Sequence, residues 1–186
     1  MRVTGGSARG FTLISPKAPV VRPTTDRVRS ALFNIMSRYS VEDSEVADLF
    51  AGTGSLGIEA LSRGAARVDF VEANIKVAKL HAKKSDLDIK YLHQDLNDLK
   101  IKKKYDVILM LEILEHIDNW DNLIKKIKKN LKSSGKLIIS TINRNIFSQF
   151  FAIFIAEDVL KWIPKKTHEY NKLIKPKELI SVLKKK

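Results

Sequence analysis

The chain has 186 residues, 44% hydrophobic and 30% charged, with 34 Lys+Arg, 21 Asp+Glu and a formal net charge of +13. That apolar content excludes intrinsic disorder, and the length suits one globular domain whose core needs no disulfide or metal. The absence of Cys excludes a thiolate nucleophile and a Cys-based zinc site, and the positive charge favours anionic partners or a lysine-rich solvated face. The opening MRVTGGSARG lacks the apolar run of a secretory signal. The most apolar stretch, Phe147–Ile155, is shorter than the ~20 residues of a membrane span. A cytoplasmic, reducing location is expected.

In chain order, RVTGGSARGFTLIS (2–15) reads as two short strands around a glycine turn. Thr24 or Thr25 caps a helix running to about Arg38, with Val28, Leu32, Ile35 and Met36 on one face. Val46–Phe50 is a buried strand, Ala51–Gly57 a tight turn, and a helix follows to about Arg63. Arg67–Val71 is a second strand ending at Glu72, Val77–Lys84 a helix, Ile89–Leu92 a third strand and Tyr105–Met110 a fourth. A helix over Asn119–Leu131, a turn at Ser133–Gly135 and a fifth strand over Lys136–Thr141 come next. Ile146–Ile163 and Pro176–Leu183 have helical patterns. Alternating strands and helices predict an α/β fold with a parallel sheet and helices on both faces. Residues 1–40 form a hairpin-and-helix extension to a domain over 41–186.

The basic residues change identity near residue 74. Residues 1–73 carry eight Arg and one Lys against eight acids, a net charge of +1. Residues 74–186 carry one Arg and 24 Lys against 13 acids, a net charge of +12. Glycine divides seven to one and isoleucine three to 17 across the same boundary. Surface positions accept either base, so this predicts two segments of different coding history joined in one chain. Runs such as Lys102–Lys104 and Lys184–Lys186 read as solvated faces, and His81 and His93 as surface or packing residues.

The strongest chemical signal is Gly52-Thr53-Gly54-Ser55-Leu56-Gly57, a G-x-G-x-x-G turn between a strand and a helix, with Glu72 20 residues beyond Gly52. Glycines let a ligand approach the backbone, and an acid at the end of the second strand can accept ribose hydroxyls. The competing reading is a tight turn with an incidental acid. NAD and S-adenosylmethionine (AdoMet) both suit the geometry.

DLFAGTGSLGIEALSRGA (48–65) resembles the cofactor motif of class I AdoMet-dependent methyltransferases. RVTGGSARG and RPTTDRVRSALFNIMS (22–37) resemble the family that methylates guanine N2 of 16S rRNA, over about residues 1–73. The resemblance implies a Rossmann-like sheet, AdoMet as cofactor, and Asp48, Gly52, Thr53, Gly54 and Glu72 in the cofactor pocket, with Asp95 near adenine. It also implies that the hairpin and Arg22, Arg27 and Arg29 lie near ribosomal RNA or the pocket; a solvated helix face is the plain alternative for these arginines. That family closes its fourth strand with Asp/Asn-Pro-Pro-aromatic, and this chain has no Pro-Pro.

From residue 74 the likeness changes. VAKLHAKKSD, YDVILMLEILEHI, GKLIISTINRN and WIPKKTHEYNKLIKP, in that order over about 74–181, resemble the O-methyltransferases of ubiquinone biosynthesis. Glu112, Glu115 and His116 are spaced i, i+3, i+4, which places them on one face if the strand passes into a helix. Two carboxylates and an imidazole can hold Mg²⁺, or His116 can take a proton from a phenol or catechol; acids solvating a helix start are the plain alternative. The resemblance implies metal assistance and a polyprenylated phenol or catechol as acceptor. Segment 146–166 carries Phe147, Phe150, Phe151, Phe154 and Trp162 beside Lys161, Lys165 and Lys166. Such a stretch covers a core or lies on an anionic membrane, and the resemblance implies a lid touching the inner-membrane surface. The class I pattern adds a strand pair after the fifth strand that is not found here, so the fifth strand is expected at the sheet edge. Three readings follow: the phenol or catechol O-methyltransferase, the 16S rRNA guanine-N2 methyltransferase, and a non-catalytic AdoMet- or RNA-binding remnant.

Overall fold

The structure, a computed structural model, describes residues 1–13, 24–72, 90–93, 101, 103–141 and 172–184. The helices expected at 77–84 and 146–163 lie outside the described residues. Five strands, β1 (Glu45–Leu49), β2 (Arg67–Glu72), β3 (Lys90–His93), β4 (Tyr105–Leu111) and β5 (Leu131–Ser140), form one sheet in the order β3-β2-β1-β4-β5. β1 pairs parallel with β2, aligning Asp48 with Phe70, and β2 pairs parallel with β3, aligning Glu72 with His93. Tyr105 N–H donates to Asn130 O and Glu112 N–H to Ser140 O, so partners rise together along β4 and β5, the parallel pattern. The central strands are near-continuous apolar runs, as strands covered on both faces require: Val46, Ala47 and Leu49 in β1 and Val107–Met110 in β4 are buried. This is the predicted Rossmann-like architecture. β5, with no fully buried residue, is the outer strand among the described residues.

The chain divides into two compact units, Met1–Leu109 with Asn130–Ile138, and Met110–Lys129 with Ile139–Lys186. In the first, helix α1 (Asp26–Met36) starts at Thr25, whose hydroxyl accepts Val28 N–H at 3.4 Å. Its buried residues are Arg29, Phe33 and Met36, whereas Val28 and Ile35 are 44% and 61% exposed. The apolar face read from the sequence is therefore turned, because a charged residue occupies the centre of the packed face.

The partner of Arg29 is Glu59, in α2 (Ser55–Ser62); both side chains are fully buried and Nε–Oε2 is 3.1 Å. Thr4 donates to the same carboxylate from its N–H at 2.8 Å and its hydroxyl at 2.7 Å, and Arg63 Nε donates at 2.8 Å. Arg29 also donates to Asp26 at 2.9 Å, to the carbonyl of Thr24 and to that of Arg2. The N-terminal hairpin, closed by an Arg2–Thr12 bridge and by Val3 N–H donating to Phe11 O, is thus seated on α2. Ser62 Oγ donates to Gly5 O, and Gly6, at φ 77°, lies so close to the Ser62 carbonyl that any Cβ would overlap it.

In the second unit, helix α3 (Trp120–Lys128) buries Leu123, Ile124 and Ile127 and packs against α4 (Pro176–Lys184). Lys128 Nζ donates to the Leu183 carbonyl at 2.9 Å, satisfying the end of α4. The helix expected to reach Leu131 stops at Lys128, and β5 begins at Leu131, running through the expected Ser133–Gly135 turn. Asn130 causes this. Its side-chain amide donates to the carbonyls of Ile101 and Lys103 at 2.7 and 3.0 Å, while its own carbonyl takes Tyr105 N–H. Gly135 then passes close to Tyr105, where a Cβ would stand 2.9 Å from the carbonyl oxygen.

Burial alone would raise the pKa of Glu59, but the bonds from Thr4, Arg63 and Arg29 outweigh it and hold the carboxyl below its ordinary value. Its stabilising contribution is present above the unfolded-state pKa and is lost as pH falls through the depressed folded value. Arg29→Ala leaves the buried carboxylate with fewer compensating donors. It is expected to lower the unfolding free energy by about 3–5 kcal/mol at pH 7, measured by urea denaturation, with the deficit shrinking as the pH falls into the acid range.

Candidate functional site

The turn after β1 is built from three left-handed residues, Phe50 (φ 64°), Gly52 (φ 51°) and Gly54 (φ 74°). Phe50 and Ala51 both donate backbone N–H groups to Val71 O, at 2.8 and 3.3 Å, stitching the turn to the end of β2. Gly57 sits where a Cβ would overlap the Phe70 ring and crowd Val68, so α2 can lie on β2 only with glycine there. Glu72, at the end of β2, accepts Gly52 N–H at 3.0 Å. Phe50, Gly52 and Glu72 are half-buried and form the accessible rim, whereas Thr53, Gly54 and Ser55 are buried.

Asp48 is also beneath the turn rather than on its surface. It is 1% exposed and accepts Gly57 N–H at 2.9 Å, so it ties β1 to the first turn of α2. Burial pushes its carboxyl up to about 7; the Gly57 bond opposes this and the charge of Glu72 adds to it. Of the predicted cofactor residues, then, Gly52 and Glu72 meet at the rim, while Asp48, Thr53 and Gly54 shape it from below. Asp95 lies outside the described residues. The residues present fit AdoMet: a side-chain-free backbone stands beside a half-exposed carboxylate that can receive ribose hydroxyls.

The RNA-side arginines separate. Arg27 is exposed on α1 and Arg22 lies outside the described residues. Arg29 is fully buried on Glu59, so its assignment to RNA is corrected: it holds the fold. Sequence reading missed Glu59 itself; the available signal was an acid inside the apolar run Leu56–Leu61.

The residues after β4 do not share one face. Glu112 is exposed and left-handed at φ 51°, and a short 3₁₀ turn, Leu114–His116, follows. Glu115 is 4% exposed and accepts the Thr141 hydroxyl at 3.0 Å, while His116 is exposed. Among the described residues no group of three His, Asp or Glu side chains could hold a metal ion. The predicted Mg²⁺ site of Glu112, Glu115 and His116 is therefore corrected. The i, i+3, i+4 rule holds inside an α-helix, and here the backbone reverses at Glu112 before a tighter turn begins.

The parallel sheet in this order, the glycine turn after β1 and the acid closing β2, taken with the relatives and solved structures that follow, show a class I AdoMet-dependent methyltransferase fold. The chain belongs to the family described as conserved hypothetical protein 95, whose model matches residues 1–111. It is 40% identical over 168 residues to the ubiquinone biosynthesis O-methyltransferase of Pelagibacter ubique, covering 86% of this chain and 70% of that one. To the enzyme of the same name from Rickettsia typhi it is 34% identical over 160 residues, covering 84% and 65%. The chain thus spans about two thirds of the length of these curated relatives. A solved Escherichia coli protein assigned as a methyltransferase is 28% identical, with a TM-score of 0.64 over 76% of this chain and 82% of that one. Matches of such length run across Glu72, so neither likeness stops at the change in composition. Among the described residues no helix is long and apolar enough to cross a membrane.

Glu72→Ala is expected to weaken AdoMet binding about tenfold to a hundredfold by calorimetry, the loss of bonds to a charged acceptor, with the melting temperature little changed. The raised carboxyl of Asp48 predicts that wild-type stability falls as pH rises towards about 7. Against Asp48→Asn, which keeps an acceptor for Gly57, the loss should be about 1.4 kcal/mol per pH unit between the ordinary Asp value and that point, read from denaturation midpoints.

Proposed function

We propose that this chain transfers the methyl group of AdoMet to a hydroxyl of a polyprenylated phenol or catechol. The observation that carries the acceptor is the 40% identity over 168 residues with a ubiquinone biosynthesis O-methyltransferase. The turn after β4 agrees with that reading, because it carries a buried carboxylate and an exposed imidazole where an RNA N-methylase needs Pro-Pro. Bound AdoMet supplies an electrophilic sulfonium methyl. On the cofactor side, Gly52 admits close approach and Glu72 receives the ribose. On the acceptor side, Glu115 receives a hydroxyl and orients its oxygen, and His116, at the surface, takes the phenolic proton, whose ordinary pKa is near ~10. Methyl transfer of this kind is an in-line displacement, which asks of a protein mainly that it position the oxygen and remove its proton. Segment 146–166, which lies outside the described residues, is proposed from its sequence to meet an anionic membrane where a polyprenyl acceptor resides.

A second reading, the 16S rRNA guanine-N2 methyltransferase, is favoured by the family match over residues 1–111 and by the exposure of Arg2, Arg9 and Arg27 around the hairpin. Radiolabelled methyl transfer with a prenylated catechol and undermethylated small ribosomal subunits in one mixture separates the two. Label is expected in the organic phase, reduced at least about tenfold in Glu115→Ala; label in the RNA instead would establish the second reading.

A further inference from the structure

We propose that Thr141 is a positioning residue for the acceptor: its hydroxyl turns the Glu115 carboxylate so that the second oxygen, Oε1, is presented to a substrate hydroxyl. This rests on the O-methyl-transfer reading above.

Glu115 is a buried acid, 4% exposed, in the three-residue 3₁₀ turn Leu114–His116. Thr141 Oγ1 donates to its Oε2 at 3.0 Å. Among the described residues no other donor reaches the carboxylate. A buried carboxylate has room for several donors and is costly when only one is filled. The remaining oxygen therefore has a standing capacity for a ligand hydroxyl, the group a phenol or catechol offers.

Thr141 is itself placed by construction. It follows Ser140, the last residue of β5, and Ser140 receives the Glu112 N–H twice, at its carbonyl (2.9 Å) and its hydroxyl (3.2 Å). That bifurcated hydrogen bond, given by the Glu112 N–H to Ser140, holds Glu112 in its left-handed conformation, which a residue with a side chain adopts only at a cost. Two adjacent residues at the end of β5 thus hold both acids of the turn after β4, Ser140 through the backbone of Glu112 and Thr141 through the carboxylate of Glu115. The hydroxyl at 141 is the part of this arrangement that a change of side chain can remove without touching the backbone bonds. Threonine to valine keeps the shape and deletes the donor.

The test compares wild type, Thr141→Val and Thr141→Ser in the full chain, using 4-methylcatechol as the acceptor probe. Methyl transfer gives kcat and KM, and calorimetry gives probe binding and AdoMet binding. Thr141→Val is expected to lose about tenfold or more in kcat/KM and in probe affinity while AdoMet affinity stays within twofold, and Thr141→Ser is expected to recover most of the loss. The proposal is overturned if Thr141→Val matches wild type, or if Thr141→Ser is as impaired as Thr141→Val, which would make the role one of packing. If wild type does not methylate the probe, the O-methyl-transfer reading fails. Probe binding then decides the positioning claim: weakening in Thr141→Val with recovery in Thr141→Ser supports it, and absent or unchanged binding overturns it.

Discussion

One buried carboxylate organises the N-terminal half of this protein. Glu59 is inaccessible to solvent and receives donors from three directions, Thr4 in the hairpin, Arg29 in α1 and Arg63 just past α2. Removing a carboxylate from water costs several kcal/mol unless its oxygens are bonded again, so none of the three elements can leave without exposing the others to that cost. Because α2 begins at the glycine turn, the hairpin and α1 are part of the frame that holds the turn. They are not an appendage resting on a finished domain. Arginine suits the position in a way lysine does not: its fork reaches Glu59, Asp26 and two backbone carbonyls at once, where an ammonium presents a point charge.

The ends of the strands repeat a second device. Phe50 follows β1 and Glu112 follows β4, and each is a left-handed residue that is not glycine. Each gives its N–H to the end of a neighbouring strand, Phe50 to Val71 and Glu112 to Ser140. A backbone reversal at a strand's C-terminal end is otherwise unstable, and pairing it to the next strand makes it reproducible. Open α/β sheets bind ligands at those ends, so the same bonds that tolerate the strain also shape the rims where chemistry takes place. The two rims differ in kind: the one after β1 is glycine backbone with one acid, and the one after β4 carries side chains of acid, imidazole and hydroxyl.

What could be read from the sequence follows this division. The strands and the glycine turn were legible because apolar runs and glycine spacing are local signals, and Glu72 was found by its distance along the chain. The buried face of α1 was not legible, because an apolar pattern cannot announce that Arg29 belongs inside; that depends on Glu59, 30 residues away, and on Thr4. The start of β5 was misplaced for a similar reason, since Asn130 stops the helix through carbonyls at Ile101 and Lys103 that its own neighbourhood does not contain. The supposed metal set failed at one dihedral: with Glu112 left-handed, spacing ceased to mean a shared face. Thr141 lay inside the block GKLIISTINRN that was read for family likeness alone, and its bond to Glu115 is visible only where β5 ends beside the turn after β4.

The change from arginine to lysine near residue 74 acquires a structural boundary condition. The buried network around Glu59 draws wholly on the arginine-rich segment, while lysines of the later segment serve exposed or half-exposed pairs, Lys103 and Lys132 with Glu45 and Lys132 with Asp106. Those pairs are weak and exchangeable, so they place little demand on a junction. Tyr105 is different. Its hydroxyl is buried and donates to Asp69 at 2.8 Å, one partner on each side of the change in composition. A buried donor without its acceptor costs about 1–3 kcal/mol, so two segments of unrelated origin could not be joined at random and keep this contact. Whatever history produced the two compositions, they meet at this buried side-chain bond as well as along the backbone ladder between β2 and β3.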